Sequence, residues 1–166
     1  MEILQLFDID GKKLNKTIER GQKPEEGEFI KLAVVHFKSG DKYMLQLTSE
    51  AKGSEYAATG GHVPAGFDSD EQAVVECQEE LGITIDKESL NFLGSIKTPR
   101  AIFDVYLLED DSLINKEFVL QDEEVEALVW LTVDQIENLI LEEELGSGKK
   151  VRESTKKQFY QFIKER

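Results

Sequence analysis

The sequence predicts an α+β fold, a mixed β-sheet flanked by helices. Three observations predict it. Short apolar, β-rich segments stand before one sharply punctuated helical stretch, similar segments follow it, and two more helical segments gather toward the C-terminus. That order suits one sheet covered by helices rather than a helical bundle or a β-sandwich. A chain of 166 residues fits a single domain spanning 1–166 and can bury a real core.

The elements follow in chain order. Ile3 to Asp8 reads as a strand, and Asp10-Gly11 is a strong hairpin-turn signal. Lys12 to Glu28 is polar, holds Gly21, Pro24 and Gly27, and reads as a loop. Phe29 to Phe37 is apolar and β-rich, Ser39-Gly40-Asp41 turns the chain, and Lys42 to Leu47 alternates like a returning strand. Thr48 to Glu55 is a loop.

Ser69 to Leu81 is the clearest helix. Ser69 suits the N-cap with Gln72 as its capping-box partner, Asp70 and Glu71 suit the positive end of the dipole, and Gly82 suits the stop. Asn91 to Lys97 and Ala101 to Leu108 read as strands around Thr98-Pro99, and Val125 to Leu131 as another. Val133 to Leu145 reads as a helix capped by Thr132. Gly146-Ser147-Gly148 links it to a terminal helix over 153–164.

Composition narrows the function. The formal net charge of -14 would repel a nucleic-acid backbone. It leaves a small phosphorylated ligand open, because a few carboxylates can gather divalent cations that screen it. No apolar run approaches the ~20 residues of a membrane span, so no membrane partner is expected. The first residues lack the basic flank and apolar block of a signal peptide, and the single cysteine, Cys77, forms no internal disulfide framework. The expected location is the cytoplasm. There is no phosphate-cradling Gly-rich loop with Lys-Ser/Thr, no His/Cys zinc pattern and no serine-nucleophile elbow.

The chemistry concentrates on the helix. At ~100° per residue, Glu76, Glu79 and Glu80 fall within an arc of roughly 100°. Three crowded carboxylates repel unless a cation joins them. A hard ion such as Mg²⁺ takes oxygen ligands and keeps waters that a phosphate can replace. Ala73, Cys77 and Leu81 form the opposite, packing face, which makes Cys77 a buried hydrophobe rather than a reactive thiol. Lys52, Lys97 and Arg100 are the basic groups on loops that could reach a phosphate, though ordinary surface placement suits each. Tyr56, ahead of the Gly60-Gly61 turn, could stack on a base. His62 could touch substrate, but a structural hydrogen bond in a tight loop suits it better.

The stretch from Gly61 to Ile83 resembles the Nudix box. Gly61, Glu76, Glu79, Glu80, Gly82 and Ile83 stand at its positions and spacing, after a lead-in of Gly60-Gly61-His62-Val63 and Ala65-Gly66. Three N-terminal segments resemble the Nudix branch related to isopentenyl diphosphate isomerase. They are Leu6 to Gly11, Arg20 to Glu28, and Tyr43 to Leu47. The resemblance implies a Nudix α/β/α sandwich and hydrolysis of a diphosphate linkage in a nucleoside diphosphate carrying another moiety, with Mg²⁺ or Mn²⁺. It implies metal ligands at Glu79 and Glu80, a ligand or general base at Glu76, and further ligands at the Gly60 carbonyl and a downstream glutamate, Glu124 ahead of Glu123 and Glu126. It leaves a homodimer open.

Two positions depart from the box. Phe67 stands where the family has its first glutamate, and Val75 where it has an arginine. Replacing both members of a polar contact by apolar groups can be nearly neutral for stability. The expectation is that Phe67 and Val75 meet in an apolar contact tying loop to helix. The departures also support a rival, a catalytically weak or inactive Nudix domain that binds a nucleotide-like ligand or a protein. A second rival, an isoprenoid diphosphate isomerase, would need a catalytic cysteine, and Cys77 lies on the packing face.

Overall fold

The chain enters through a hairpin, β1 (Ile3–Phe7) and β2 (Lys13–Glu19), paired antiparallel. Then come β3 (Ile30–Ser39), β4 (Lys42–Thr48), β5 (Tyr56–Ala57) and β6 (Thr59–His62). Helix α1 (Ser69–Leu81) follows, and after it β7 (Asn91–Lys97), β8 (Ala101–Glu109), β9 (Val125–Thr132), α2 (Val133–Glu144) and α3 (Glu153–Gln158). This computed structural model describes residues 1–166. No helix in it is long and apolar enough to cross a membrane.

Seven strands form the main sheet, in the order β5-β4-β3-β8-β7, with β6 also on β3 and β9 also on β4. The sheet is mixed, because β3 runs parallel to β8 while its other pairings are antiparallel. β3 and β4 stay paired only beside their hairpin, at Lys38↔Tyr43 and Ser39↔Lys42. Beyond it they splay, and β6 takes up the freed edge of β3 from Leu32↔His62 to Val35↔Thr59. The splay brings Gly60 and Gly61 to the mouth of the sheet.

Each face of the sheet carries a core. Ala73, Cys77 and Leu81 of α1, all fully buried, pack with Ala33, Val35, Phe37 and Met44. On the other face Tyr43, Leu45 and Leu107 pack with Ile136 and Ile140 of α2 and with Phe159 and Ile163. The alternation of β3 and β4 between two apolar faces is what a sheet covered on both sides requires. The result is the expected α/β/α sandwich.

The differences from expectation have local causes. β2 lies inside the segment read as a loop. It is a solvated strand in which only Leu14 and Ile18 are partly covered, so it lacks the alternation that marks a strand. β5 and β6 were not foreseen, because Thr59-Gly60-Gly61 carries no strand propensity and is held by pairing with β3. Helix α1 spans the expected residues, but its N-cap is Asp68, whose N–H donates to Glu71 at 2.9 Å. Ser69 is instead drawn inward, its hydroxyl bonded to Asp104 and Tyr106 at 2.6 Å each. The terminal helix ends at Gln158 and continues as a wider π-type turn over Phe159–Ile163.

A buried polar cluster fixes the start of α1. Lys31 and Asp104 pair at 2.9 Å, and Ser69 and Ser95 both donate to Asp104. Lys31 Nζ also lies 4.5 Å from the centre of the Phe7 ring. A buried charge pair needs further hydrogen bonds, and Ser69 and Ser95 supply them to the Asp104 carboxylate.

Candidate active site

The exposed edge of α1 and the β6 end of the sheet enclose a cleft of about 390 Å³. Its wall contains Glu76, Glu79 and Glu80 from α1, Gly60, Gly61 and His62 from β6, and Lys52 and Glu124 from loops. The structure therefore brings together seven of the candidates named from the sequence, Gly60 among them, and leaves Lys97, Glu123 and Glu126 outside. Tyr56 and Arg100 do not line it. Tyr56 packs against the core on the α2 face. Arg100 sits in the turn between β7 and β8, its carbonyl accepting from the Ile30 N–H at 3.1 Å.

Gly61 has no side chain where one would not fit, since a Cβ there would run into the Glu76 carboxylate. Gly60 is equally constrained, because a Cβ would strike the Ala33 carbonyl. The glycines thus let strand and carboxylate approach. Glutamine amides then orient the acids. Gln72, one helical turn before Glu76, donates to it at 2.8 Å. Gln46 on β4 donates to Glu80 at 3.2 Å and to Thr59 at 2.8 Å.

The electrostatics are those of an acidic site short of counter-charge. Burial, reinforced by Glu76 and Glu124, pushes the Glu80 carboxyl up to about 8. Burial also raises Glu76, against the pull of the Gln72 amide, with Glu79, Glu2 and Glu124 adding to the rise. Lys52 is 3.4 Å from Glu124 and both are substantially exposed, so that pair neutralises little of the charge near Glu80. An all-oxygen donor set, desolvated and mutually repelling, fits a hard divalent cation.

Asp68, Asp70 and Glu71, at the start of α1, bring their carboxylate oxygens within 4.8 Å of one another, closer than Glu76, Glu79 and Glu80 come as a set. Their positions are explained by the cap, by the helix dipole and by Lys13, 3.2 Å from Asp68.

Sequence reasoning missed several residues of the cleft. Arg20 and Glu2, 3.5 Å apart, arrive from the N-terminal hairpin and flank His62. Burial lowers the His62 ring, with Arg20 acting in the same direction and Glu2 against it. Gln121 lines the far rim, its N–H donating to the Glu80 carbonyl at 3.1 Å. Arg152 reaches the cleft from just before α3, its Nε 2.7 Å from Glu55. A signal for Arg152 existed in the basic run Lys149-Lys150-Val151-Arg152 of an otherwise acidic chain.

The expected apolar contact of Phe67 with Val75 draws no support from burial. Phe67 is 37% exposed on the loop before α1, and neither residue joins a hydrophobic core. Cys77 is fully buried, and burial pushes its thiol up to about 12, so it offers no nucleophile.

Among solved structures, a Deinococcus radiodurans protein is similar to the chain with a TM-score of 0.73 at 17% identity, covering 97% of this chain and 99% of that one. A MutT NUDIX hydrolase from Burkholderia pseudomallei gives 0.62 at 17% identity, over 80% and 96%. A bifunctional NMN adenylyltransferase/ADP ribose pyrophosphatase from Francisella tularensis gives 0.64 at 16% identity, over 84% of this chain and 40% of that one. At such identities these are likenesses of fold. No curated protein sequence matches the chain. The NUDIX domain family matches residues 29–159, which takes in the sheet, the acidic helix and most of the C-terminal region. The chain belongs to the Nudix family.

Proposed function

We propose that this Nudix-type hydrolase cleaves the diphosphate linkage of a nucleoside diphosphate carrying a further group, and that Mg²⁺ or Mn²⁺ is its cofactor. The observation that carries the reading is the desolvated pair Glu76 and Glu80, lining one cleft with Glu79, Glu124, Gly60 and Gly61.

Glu79 and Glu80 would hold the cation, with Glu124 and the Gly60 carbonyl completing the set. When bound, the ion supplies positive charge to the phosphoryl oxygens and lowers the pKa of a coordinated water. Glu76, held by Gln72, would accept a proton from the attacking water. Gln46 keeps Glu80 from turning away. Arg152, Arg20 and Lys52 are the cations of the cleft and would steady the phosphates.

A second reading has its own observation. Phe67 and Val75 leave the family's glutamate and arginine positions without charge, which favours a weak or inactive site that only binds its ligand. The glutamine contacts favour an active one, because they orient Glu76 and Glu80 without that arginine. A panel of nucleoside diphosphate derivatives, assayed with Mg²⁺ and with Mn²⁺, tests the choice. Metal-dependent product release that disappears in Glu80→Gln supports hydrolysis. Ligand binding with no release from any substrate supports the binding domain.

A further inference from the structure

Behind the acidic cleft lies a second space, of about 230 Å³, against the α2 and α3 face of the sheet. The two share Leu32, Gly60, Gly61 and Arg152, so they adjoin, one acidic and the other drier. Together they reach the size of small-molecule sites, roughly 300–1,000 Å³. Leu32, Val34 and Phe103 give the drier space an apolar sheet wall, and Thr155 and Gln158 of α3 lie across from it.

Gln158 is the unusual group. It is 1% exposed, yet only its carbonyl oxygen has a protein partner, the ring of His36 at 2.8 Å. His36 is itself buried, at 4% exposure, and it must carry the proton on Nε2 to make that bond. The Gln158 amide nitrogen has no partner in the protein. It is not fully enclosed, and Gln158 is one of the residues lining the chamber. A donor held by a buried neighbour in an apolar slot asks for an acceptor on the ligand.

We infer that this chamber is the specificity pocket for the substrate's planar heterocycle, with the Gln158 amide donating to a ring carbonyl or ring nitrogen. His36 acts as a positioning residue that holds the amide. The flat apolar wall suits a ring, and the unpaired donor disfavours an alkyl chain, which would desolvate it without pairing it. Arg152, on the wall common to both spaces, marks where the phosphates end and the ring begins. The inference rests on the diphosphate reading above and names the part of the substrate that selects it.

Binding of non-hydrolysable probes tests it. The pair is α,β-methylene-ADP, which carries a ring, and methylenediphosphonate, which does not, each titrated into the full-length protein with Mg²⁺ present. In the wild type, α,β-methylene-ADP should shift the Gln158 side-chain NH₂ resonances, and methylenediphosphonate should not. Gln158→Met should weaken α,β-methylene-ADP roughly three- to tenfold, the worth of one neutral hydrogen bond, and leave methylenediphosphonate unchanged. Val34→Phe, which narrows the chamber from its sheet wall, should produce the same selective loss if Gln158→Met folds poorly. Equal affinity for α,β-methylene-ADP in wild type and Val34→Phe, or unshifted Gln158 resonances on saturation, would overturn the inference. Selective ring binding with no turnover of any substrate would sink hydrolysis and leave the pocket standing. Metal-dependent turnover that is indifferent to both variants would do the reverse.

Discussion

Gly61 and Glu76 are in contact across the gap between β6 and α1, and the carboxylate occupies the space a Cβ on Gly61 would need. The glycine therefore sets where a site acid lies. Gly61 needs no left-handed backbone, so alanine is tolerated there if the flexible Glu76 side chain moves aside. Gly61→Ala should leave stability within about 1 kcal/mol of wild type and weaken Mn²⁺ binding roughly 10–100-fold. Gly60→Ala should behave differently. Its Cβ meets the Ala33 backbone carbonyl, which cannot step away, and the overpacking should cost about 1–3 kcal/mol. Urea denaturation paired with Mn²⁺ titration separates the two. Equal destabilisation would remove the distinction.

Glu80 is buried among like charges, and Glu80→Gln relieves the repulsion while keeping the shape. In the absence of divalent metal the variant should melt at the wild-type temperature or a few degrees above it. In Mg²⁺ the wild type should gain thermal stability and the variant should not. Thermal melts of both proteins, with and without Mg²⁺, decide it. A metal-free variant that melts well below wild type would show that the carboxylate stabilises the fold.

Asp104 accepts from Lys31, Ser69 and Ser95, and so ties the start of α1 to the sheet. Asp104→Ala should cost about 3–5 kcal/mol, because Lys31 is left charged and buried without its partner. Combining it with Lys31→Met should recover much of that loss. A double-mutant cycle by denaturation gives the coupling, and additive losses would mean the pair is not coupled.

His36 gives a pH dependence of stability. Burial holds its ring down at about 4, against an ordinary value of 6.5. Between those values the unfolded chain takes up the proton first, so stability is intact above about 6.5 and falls as pH drops toward 4. The loss is about 3 kcal/mol at most. His36→Gln, which keeps an amide donor toward Gln158, should show a smaller loss between pH 7 and pH 4.5 than wild type. Parallel slopes in the two proteins would place the acid sensitivity elsewhere.

The parts of this molecule legible in the sequence are those governed by local rules. The spacing of Ala73, Cys77 and Leu81, the acids of the first turn and the glycine at 82 fix α1, and Glu76, Glu79 and Glu80 emerge on its open side. The illegible parts depend on distant partners. β2 carries no apolar alternation and is specified by pairing with β1. Ser69 has the chemistry of a cap, but Asp104, 35 positions away, claims its hydroxyl. Gln46, Gln72 and Gln158 carry no local signal, since a glutamine becomes a site residue only when folding buries it beside a carboxylate or a ring. Arg100 and Lys52 look alike in sequence, and only the course of the loops puts Lys52 alone in the cleft.

The central claim is that the acidic edge of α1 holds the divalent cation on which diphosphate hydrolysis depends. Calorimetric titration of Mn²⁺ into the wild type and into Glu79→Gln/Glu80→Gln, both otherwise metal-free, tests it most directly. The wild type should bind with saturable heat and the double variant should lose that binding. Equal binding by the two proteins would contradict the claim.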